Sequence, residues 1–444
     1  MMQKKKASVT IFLALCMLMF LVLCLVLVEG ARVYYTRVKA MQAMELAEFL
    51  VLSEYQKELF DRYGLFFLDL DYEQGDEQIG ILDHRIRRYL SKNIEEVETA
   101  NLQISNFRRA TDGCGSAYFL QSVEQIKLQS GYKVLEDFFD GMGNVKADDI
   151  NLEEIRNVNE EKARGLLSEL KSITENRLLN ISLPSISFPS IASLREAVFG
   201  NVPLSDKSII LSERLQQRQC RKGVGEEVRI SFADNQLFHC YLFQNFGYYG
   251  FEDNGNSDKT LEYQMEYIVA GKDSDEKNIE DIMWRIFLLR AGGNYLFYHQ
   301  DAAQLAKAEA EAVALVGITG NVVLINAVRE LFLIAEAIDN GIQETKIVFA
   351  GGNVPLYENG IFEGIRIGYE QYLYLFLNTV GKEEKIYRSM DIIELEIRKA
   401  SGYELFRFDH CVDVFEVEWT YLYDGLLRSQ TYEHRIKRTM NYEM

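Results

Sequence analysis

The sequence predicts an α+β fold, mainly α, in which an N-terminal transmembrane helix continues into a long amphipathic helix packed on a small antiparallel sheet. A large helical ectodomain accounts for the rest. Three observations lead there. An uncharged apolar run covers Ala7–Val28, ASVTIFLALCMLMFLVLCLVLV. Helical spacing of apolar residues persists beyond it as far as Tyr63. Period-two alternation appears at Val97–Phe107 and again from Cys411 to Tyr442, the pattern of half-buried strands.

The apolar run reaches roughly 30 Å as a helix, the thickness of a bilayer's hydrocarbon core. A cleaved signal peptide would have a shorter apolar region and small residues before the cleavage point. Leu25, Leu27 and Val28 are bulky, so a retained anchor is expected. Lys4, Lys5 and Lys6 precede the run, while Arg32, Arg37 and Lys39 follow it, so charge orients it only weakly. The expected topology is single-pass in the cell membrane: 1–6 cytoplasmic, 7–28 in lipid, and the bulk extracellular.

Residues 29–64 extend the helix outside. From Val33 to Tyr63 no proline and no glycine interrupts the pattern Met41, Met44, Leu52, Tyr55, Leu59, Tyr63, and Gly64 supplies the stop. Glu29 and Arg32 stand at the membrane boundary, placed for polar pairing. The stripe of Met41, Met44, Leu52 and Tyr55 is the candidate for helix–helix contact, against either the chain's own domain or a neighbouring subunit.

The chain has 444 residues, a formal charge of −19 and only four prolines, with abundant Tyr and Phe. That describes a packed globular body. Acidic excess argues against nucleic acid, which needs a basic face. Cys16 and Cys24 lie inside the apolar run, whereas Cys114, Cys220, Cys240 and Cys411 lie outside it. Four cysteines are too few for a disulfide-dependent scaffold, and they are read as free or buried, although three pairings are formally open.

The remaining segments follow in order. Residues 65–179 form a first ectodomain part. It holds a short helix at Ile79–Tyr89, the Val97–Phe107 strand, a turn at Thr111–Gly115, and helices at Ala117–Phe139 and Asp149–Leu179 around a Gly141–Asn144 loop. Asp69, Asp71 and Glu73 begin like a calcium loop, but Gly75 falls one place late and Gly80 stands where a bidentate Glu belongs, so a solvated loop is expected. Residues 180–204, with two prolines and a serine run, read as a linker or extended segment.

Residues 205–444 make a helical part with a C-terminal β-hairpin turning at Asp424-Gly425. Helices are expected at Asp206–Arg218, Leu261–Val269, Asn278–Arg290, Asn294–Val316, Val322–Asn340, Tyr369–Asn378 and Glu383–Ser401, with a strand at Glu227–Phe232. Charges within Asn294–Val316 and Val322–Asn340 mark those two as core helices and not further membrane spans.

No catalytic constellation emerges from spacing. His84, His239, His299, His410 and His434 are scattered without metal-ligand intervals. His239-Cys240 and His410-Cys411 would make a metal site only if folding joined them. No catalytic residue, metal or cofactor is therefore assigned. The alternative is a membrane-tethered hydrolase acting on surface glycans through an Asp/Glu pair.

The segments Ala7-Ser-Val-Thr-Ile-Phe-Leu-Ala-Leu, Val28-Glu-Gly-Ala-Arg32 and Tyr63-Gly-Leu-Phe66 resemble a bacterial family of unknown function. So do Met265-Glu-Tyr-Ile268, Gly271-Lys-Asp-Ser-Asp275, Val354-Pro-Leu356, Tyr369–Leu373 and Arg388–Glu394. Its members are single-span envelope proteins of Gram-positive bacteria, TadE/TadG-like and associated with the tight-adherence (Flp) pilus system. The resemblance implies an inside N-terminus and a non-enzymatic, pseudopilin-like role in pilus or secretion assembly, with other subunits met through the N-terminal helix. It implies no reaction. Thr10-Ile-Phe12 stands where pilin-type subunits carry a glutamate, and Lys6-Ala7 replaces their glycine processing site, so prepilin processing is not implied.

Overall fold

The computed structural model describes residues 2–72, 74, 76–130, 188–250, 259–355, 366–426 and 430–442. In chain order these form α1 (Met2–Leu52), α2 (Lys57–Tyr63), β1 (Leu68–Asp69), α3 (Ile79–Asn93), β2 (Glu98–Arg109) and α4 (Asp112–Ser130). Then come α5 (Ile191–Phe199), α6 (Phe232–Asn245), α7 (Gln264–Ala270), α8 (Asp275–Tyr298), α9 (Ala302–Val316) and α10 (Val322–Phe349). Last are β3 (Val354–Pro355), β4 (Arg366–Ile367), α11 (Tyr369–Thr379), α12 (Lys382–Ile397), β5 (Cys411–Asp424) and β6 (Thr431–Asn441). The fold is α+β and mainly α. The expected Asp149–Leu179 helix, the Gly141–Asn144 loop and residues 180–187 lie outside the described residues. The rest of the expected linker at 180–204 is not all extended: Ser190 Oγ accepts the Ser193 N–H at 3.1 Å and opens α5.

The chain divides into two compact units, one made of 1–121, 220–228 and 397–444, the other of 122–219 and 229–396.

In the first unit α1 is a single helix, long and apolar enough to cross a membrane. Its apolar residues from Ile11 to Val28 are exposed. Further along, one face turns inward: Ala40, Ala43, Met44, Ala47 and Val51 join a core with Leu82, Ile86 and Leu90 of α3. Val412, Phe415, Val417, Trp419, Tyr421 and Tyr423 of β5 complete that core. The helix thus packs on the sheet through small residues that let it approach closely.

The helix does not run unbroken to Tyr63 but stops at Leu52. The Ser53 hydroxyl donates back to the Leu50 carbonyl at 2.7 Å. The Gln56 N–H donates to the Phe67 carbonyl at 2.8 Å, and its side chain caps α2 at Leu59. A tertiary hydrogen bond and a side-chain cap outweigh the continuing periodicity. Gly64, at φ +67°, closes α2 in the left-handed region, as its sequence position suggested.

β5 is the centre of the sheet. It pairs antiparallel with β2 (Leu102 opposite Trp419, Ile104 opposite Val417) and with β6 (Val417 opposite Arg438, Tyr421 opposite His434). β1 adds two residues, Leu68 opposite Val412 and Asp69 opposite Cys411. The expected strand and hairpin are therefore present and paired. Glu227–Phe232 is not among the strands. Ser231 and Asp234 instead form an N-cap, the Asp234 N–H donating to Ser231 Oγ at 3.1 Å, and Phe232 opens α6. A local capping signal defeats a weak alternation.

The Thr111–Gly115 turn is tight. Gly113, Cys114 and Gly115 all lie at positive φ, and a Cβ on Gly113 would sit 2.3 Å from the Glu226 carbonyl oxygen. The Asp112 carboxylate accepts backbone N–H groups from Arg109 (2.8 Å), Gly223 (2.8 Å) and Gly225 (3.1 Å), clasping residues 220–228 to the sheet.

The second unit is helical around α8 and α10. Asn294–Val316 is not one helix: α8 continues through Gly292 to Tyr298, and Asp301 then caps α9 by accepting the Ala303 N–H at 2.8 Å. Asp206–Arg218 holds no α-helix, only a 3-10 turn at Leu211–Glu213 and a second turn closed by Gln217 and Arg218 N–H on the Arg214 carbonyl. Its backbone is spent on tertiary partners, with Ile209 N–H on the Asp273 carbonyl and Leu215 N–H on the Asp391 carboxylate, each at 2.8 Å. α9 and α10 are core helices as expected, closing over Ala312, Val316, Leu324, Val328 and Leu331.

Candidate functional site at the membrane boundary

The sequence singled out the point where α1 leaves its apolar segment, and the β5–β6 hairpin meets the helix there. Glu29 Oε2 accepts the backbone N–H of Leu426 at 3.1 Å, a contact between residues 397 apart in sequence. The turn is closed by the Gly425 N–H donating to the Gln430 carbonyl at 2.7 Å. The turn is close-packed at Gly425, where a Cβ would lie 3.1 Å from both the Gln430 carbonyl oxygen and Glu29 Oε1.

Farther along the helix an Arg37 Nη lies 3.2 Å from His434 Nδ1, and His434 Nε2 lies 3.1 Å from the Tyr423 hydroxyl. An arginine can only donate, so Nδ1 accepts and the ring proton sits on Nε2, donating to Tyr423. Desolvation and then Arg37 hold the His434 pKa below its ordinary value, which favours that neutral form. His434 also stacks on Tyr423, whose ring stacks in turn on Tyr432. Arg438 completes the attachment by reaching Glu48 and, at 3.3 Å, Glu45.

The candidate residues take different positions. Glu29 engages the hairpin backbone, and among the described residues no ion pair links it to Arg32. Arg32 is exposed and acts electrostatically on the Tyr423 hydroxyl. Met44 is fully buried in the chain's own core, and Leu52 packs against the same core. Tyr55 belongs to an aromatic cluster with Phe60 (5.1 Å) and Phe66 (5.2 Å). Met41 faces the other way, 49% exposed, on the side that also carries Tyr34 and Phe49, each 71% exposed. The apolar periodicity had merged two opposite faces of one helix. The hairpin residues Tyr423, Leu426, Tyr432 and His434 went unmarked, because only their Asp-Gly turn was legible and not its destination.

Polar groups are also buried away from this boundary. Glu266, fully buried, accepts the Tyr369 hydroxyl at 2.6 Å and the Tyr249 N–H at 2.8 Å, and desolvation raises its pKa to about 7. Asp391 is likewise pushed up to about 7 by burial. Lys385 Nζ lies 2.8 Å from Asn235 Oδ1 and 2.8 Å from His239 Nε2, and burial lowers its pKa to about 8. These groups already hold partners inside a helical core. The His239-Cys240 and His410-Cys411 pairs fall in different units, and the described residues contain no cluster of three His, Cys, Asp or Glu able to hold a metal. No disulfide links any of the six cysteines.

No curated protein and no solved structure matches the chain. Residues 156–361 and 358–423 match a family of unknown function, DUF5702, over more than half of the sequence. The apolar segment and the face of α1 lie outside the matched region. The chain belongs to this family of unknown function, DUF5702.

Proposed function

We propose that this chain is a membrane-anchored, non-enzymatic structural or assembly component of a bacterial pilus or secretion apparatus, TadE/TadG-like in organisation. Its N-terminus is cytoplasmic and its acidic body extracellular. One observation carries the reading. α1 passes without a break from an exposed apolar segment into a face clamped on its own sheet, while Tyr34, Met41 and Phe49 remain exposed on the opposite side. A helix used in this way positions a body at a membrane and leaves a flank for other helices of the assembly.

A photo-crosslinking residue at Met41 tests it in the native membrane. Recovery of pilus or secretion subunits is expected, whereas an uncrosslinked monomer that cleaves surface glycans overturns the proposal. Protease added to wall-stripped cells tests orientation, and full protection of the body would contradict it.

A further inference from the structure

We propose that the turn joining α9 to α10 is a lipid-contacting tip that dips into the interfacial layer of a phospholipid bilayer. The inference takes from the anchor reading only that a chain carrying α1 is held at a bilayer, where lipid is met at high local concentration.

Exposure supplies the first argument. α9 and α10 close on one another over Ala312, Val316, Leu324, Val328 and Leu331, so the hairpin already has its own core. Apolar surface nevertheless remains at its end. Ile318, on the turn, is 95% exposed, Val322 67%, Val323 60% and Val313 48%. Four branched apolar side chains gathered at one protruding end leave water with the least to bind.

Charge and depth supply the second. No residue from Ala312 to Val328 is charged. Glu311 lies roughly 7–8 Å back along α9 from Val316, and Arg329 roughly 10 Å along α10 from Val322, at 1.5 Å per residue. Both helices therefore carry an uncharged end matching the depth of about 5–10 Å to which interfacial helices bury their apolar faces. Asn326, an exposed polar side chain, sits roughly 6 Å along α10 from Val322, at the height of the headgroups.

The polar groups of the turn bind one another. Thr319 Oγ1 donates to the Val316 carbonyl at 2.7 Å, and the Gly320 N–H to the Gly317 carbonyl at 3.0 Å. Asn321 Oδ1 accepts the Val323 N–H at 3.1 Å. Such internal bonds lower the cost of leaving water.

The chemistry of the tip selects lipid over protein. Protein-binding surfaces are anchored by Trp, Tyr and Arg, and the stretch from Ala312 to Val328 has none of these. Nor does it select an anionic headgroup. Lys307 is held by Glu336 at 2.8 Å and Arg329 by Glu330 at 3.3 Å, while Glu309 and Glu311 stand exposed. The partner is a zwitterionic phospholipid surface.

The test uses the full chain in phosphatidylcholine vesicles with and without bromine on the acyl chains. Empty vesicles of the same lipid are in excess, so the tip can meet the bilayer that holds α1 or a neighbouring one. Tryptophan is introduced as Ile318→Trp, or as Phe20→Trp in the apolar segment, and the emission of the parent chain is subtracted. Bromine is expected to remove Ile318→Trp emission to an extent approaching that of Phe20→Trp. Quenching of Phe20→Trp alone overturns the tip contact and leaves the span standing. A blue-shifted but unquenched Ile318→Trp also overturns it, because protein and not lipid then covers the tip. Quenching of Ile318→Trp alone upholds the tip and overturns the span, and quenching of neither overturns both.

Discussion

A Cβ placed on Gly341 of α10 would lie 3.0 Å from the Cα, Cβ and N atoms of Ala291 in α8. The two longest described helices of the second unit therefore meet backbone against backbone, and Arg290 secures the crossing by donating to Glu344 at 2.7 Å. Gly341→Val should cost about 1–3 kcal/mol by overpacking, more than the small gain in helix propensity returns. A lower urea midpoint with an unchanged slope checks this, and a midpoint at or above the parent's would refute it.

The buried carboxylate Glu266 gives a pH dependence with a defined sign. Its folded pKa of about 7 lies above the unfolded value of 4.5, so the folded state holds the proton longer. Stability should be greatest below about pH 4.5, fall as the pH rises toward 7, and then level off. Asp391, also at about 7, adds in the same direction. Glu266→Gln mimics the protonated acid, because its carbonyl oxygen can still accept from Tyr369 and Tyr249. The variant should flatten part of the decline and gain roughly 1–3 kcal/mol at pH 8. Thermal melts from pH 4.5 to 8.5 decide it, and parallel profiles for variant and parent would count against the argument.

Asp112 holds three backbone donors at once. Asp112→Ala leaves them without their acceptor, at about 1–3 kcal/mol for each donor that water does not reach. The expected result is faster proteolytic cleavage within 220–228, resolved by mass spectrometry, before the rest of the first unit is cut. Cleavage at the parent's rate would show that the clasp is dispensable.

The attachment of α1 to its sheet should depend on shape more than on charge. Ala47 is fully buried in the core that α1 shares with α3 and the sheet, so Ala47→Leu must displace neighbours and should cost about 1–3 kcal/mol. Arg438, 38% exposed, bridges Glu48 and Glu45 at a surface where such pairs contribute about 1 kcal/mol or less. Hydrogen exchange over residues 40–51 should rise strongly for Ala47→Leu and little for Arg438→Ala. The reverse order would assign the attachment to the ion pairs.

Much of the fold was legible because long periodic segments carry their own evidence. α1, β2, α10 and the β5–β6 hairpin follow from apolar spacing, and Gly64 sits at a helix end where a stop was expected. What escaped was decided by distant partners or very local ones. The stop at Leu52 depends on Phe67, and the lost helix near Leu215 depends on Asp391. The false strand at Glu227–Phe232 hid a Ser231–Asp234 cap that a closer reading of Ser-x-x-Asp would have found. At the candidate site Glu29 was read as a polar residue placed to pair with Arg32, and it binds the hairpin backbone instead. Its partner was invisible, since periodicity says nothing about contacts between positions 397 apart.

The sheet joins β2 to β5 across nearly the whole chain, Arg108 meeting Asp413 at a separation of 305 residues. During vectorial synthesis the strands beneath α1 therefore cannot close until the residues of the second unit have all been made. That unit, lying between them in sequence, has the opportunity to fold first on its own largely local helix contacts. Until then the small-residue face at Ala40, Ala43 and Ala47 stays uncovered, and packing of the N-terminal helix waits on the last strands to emerge.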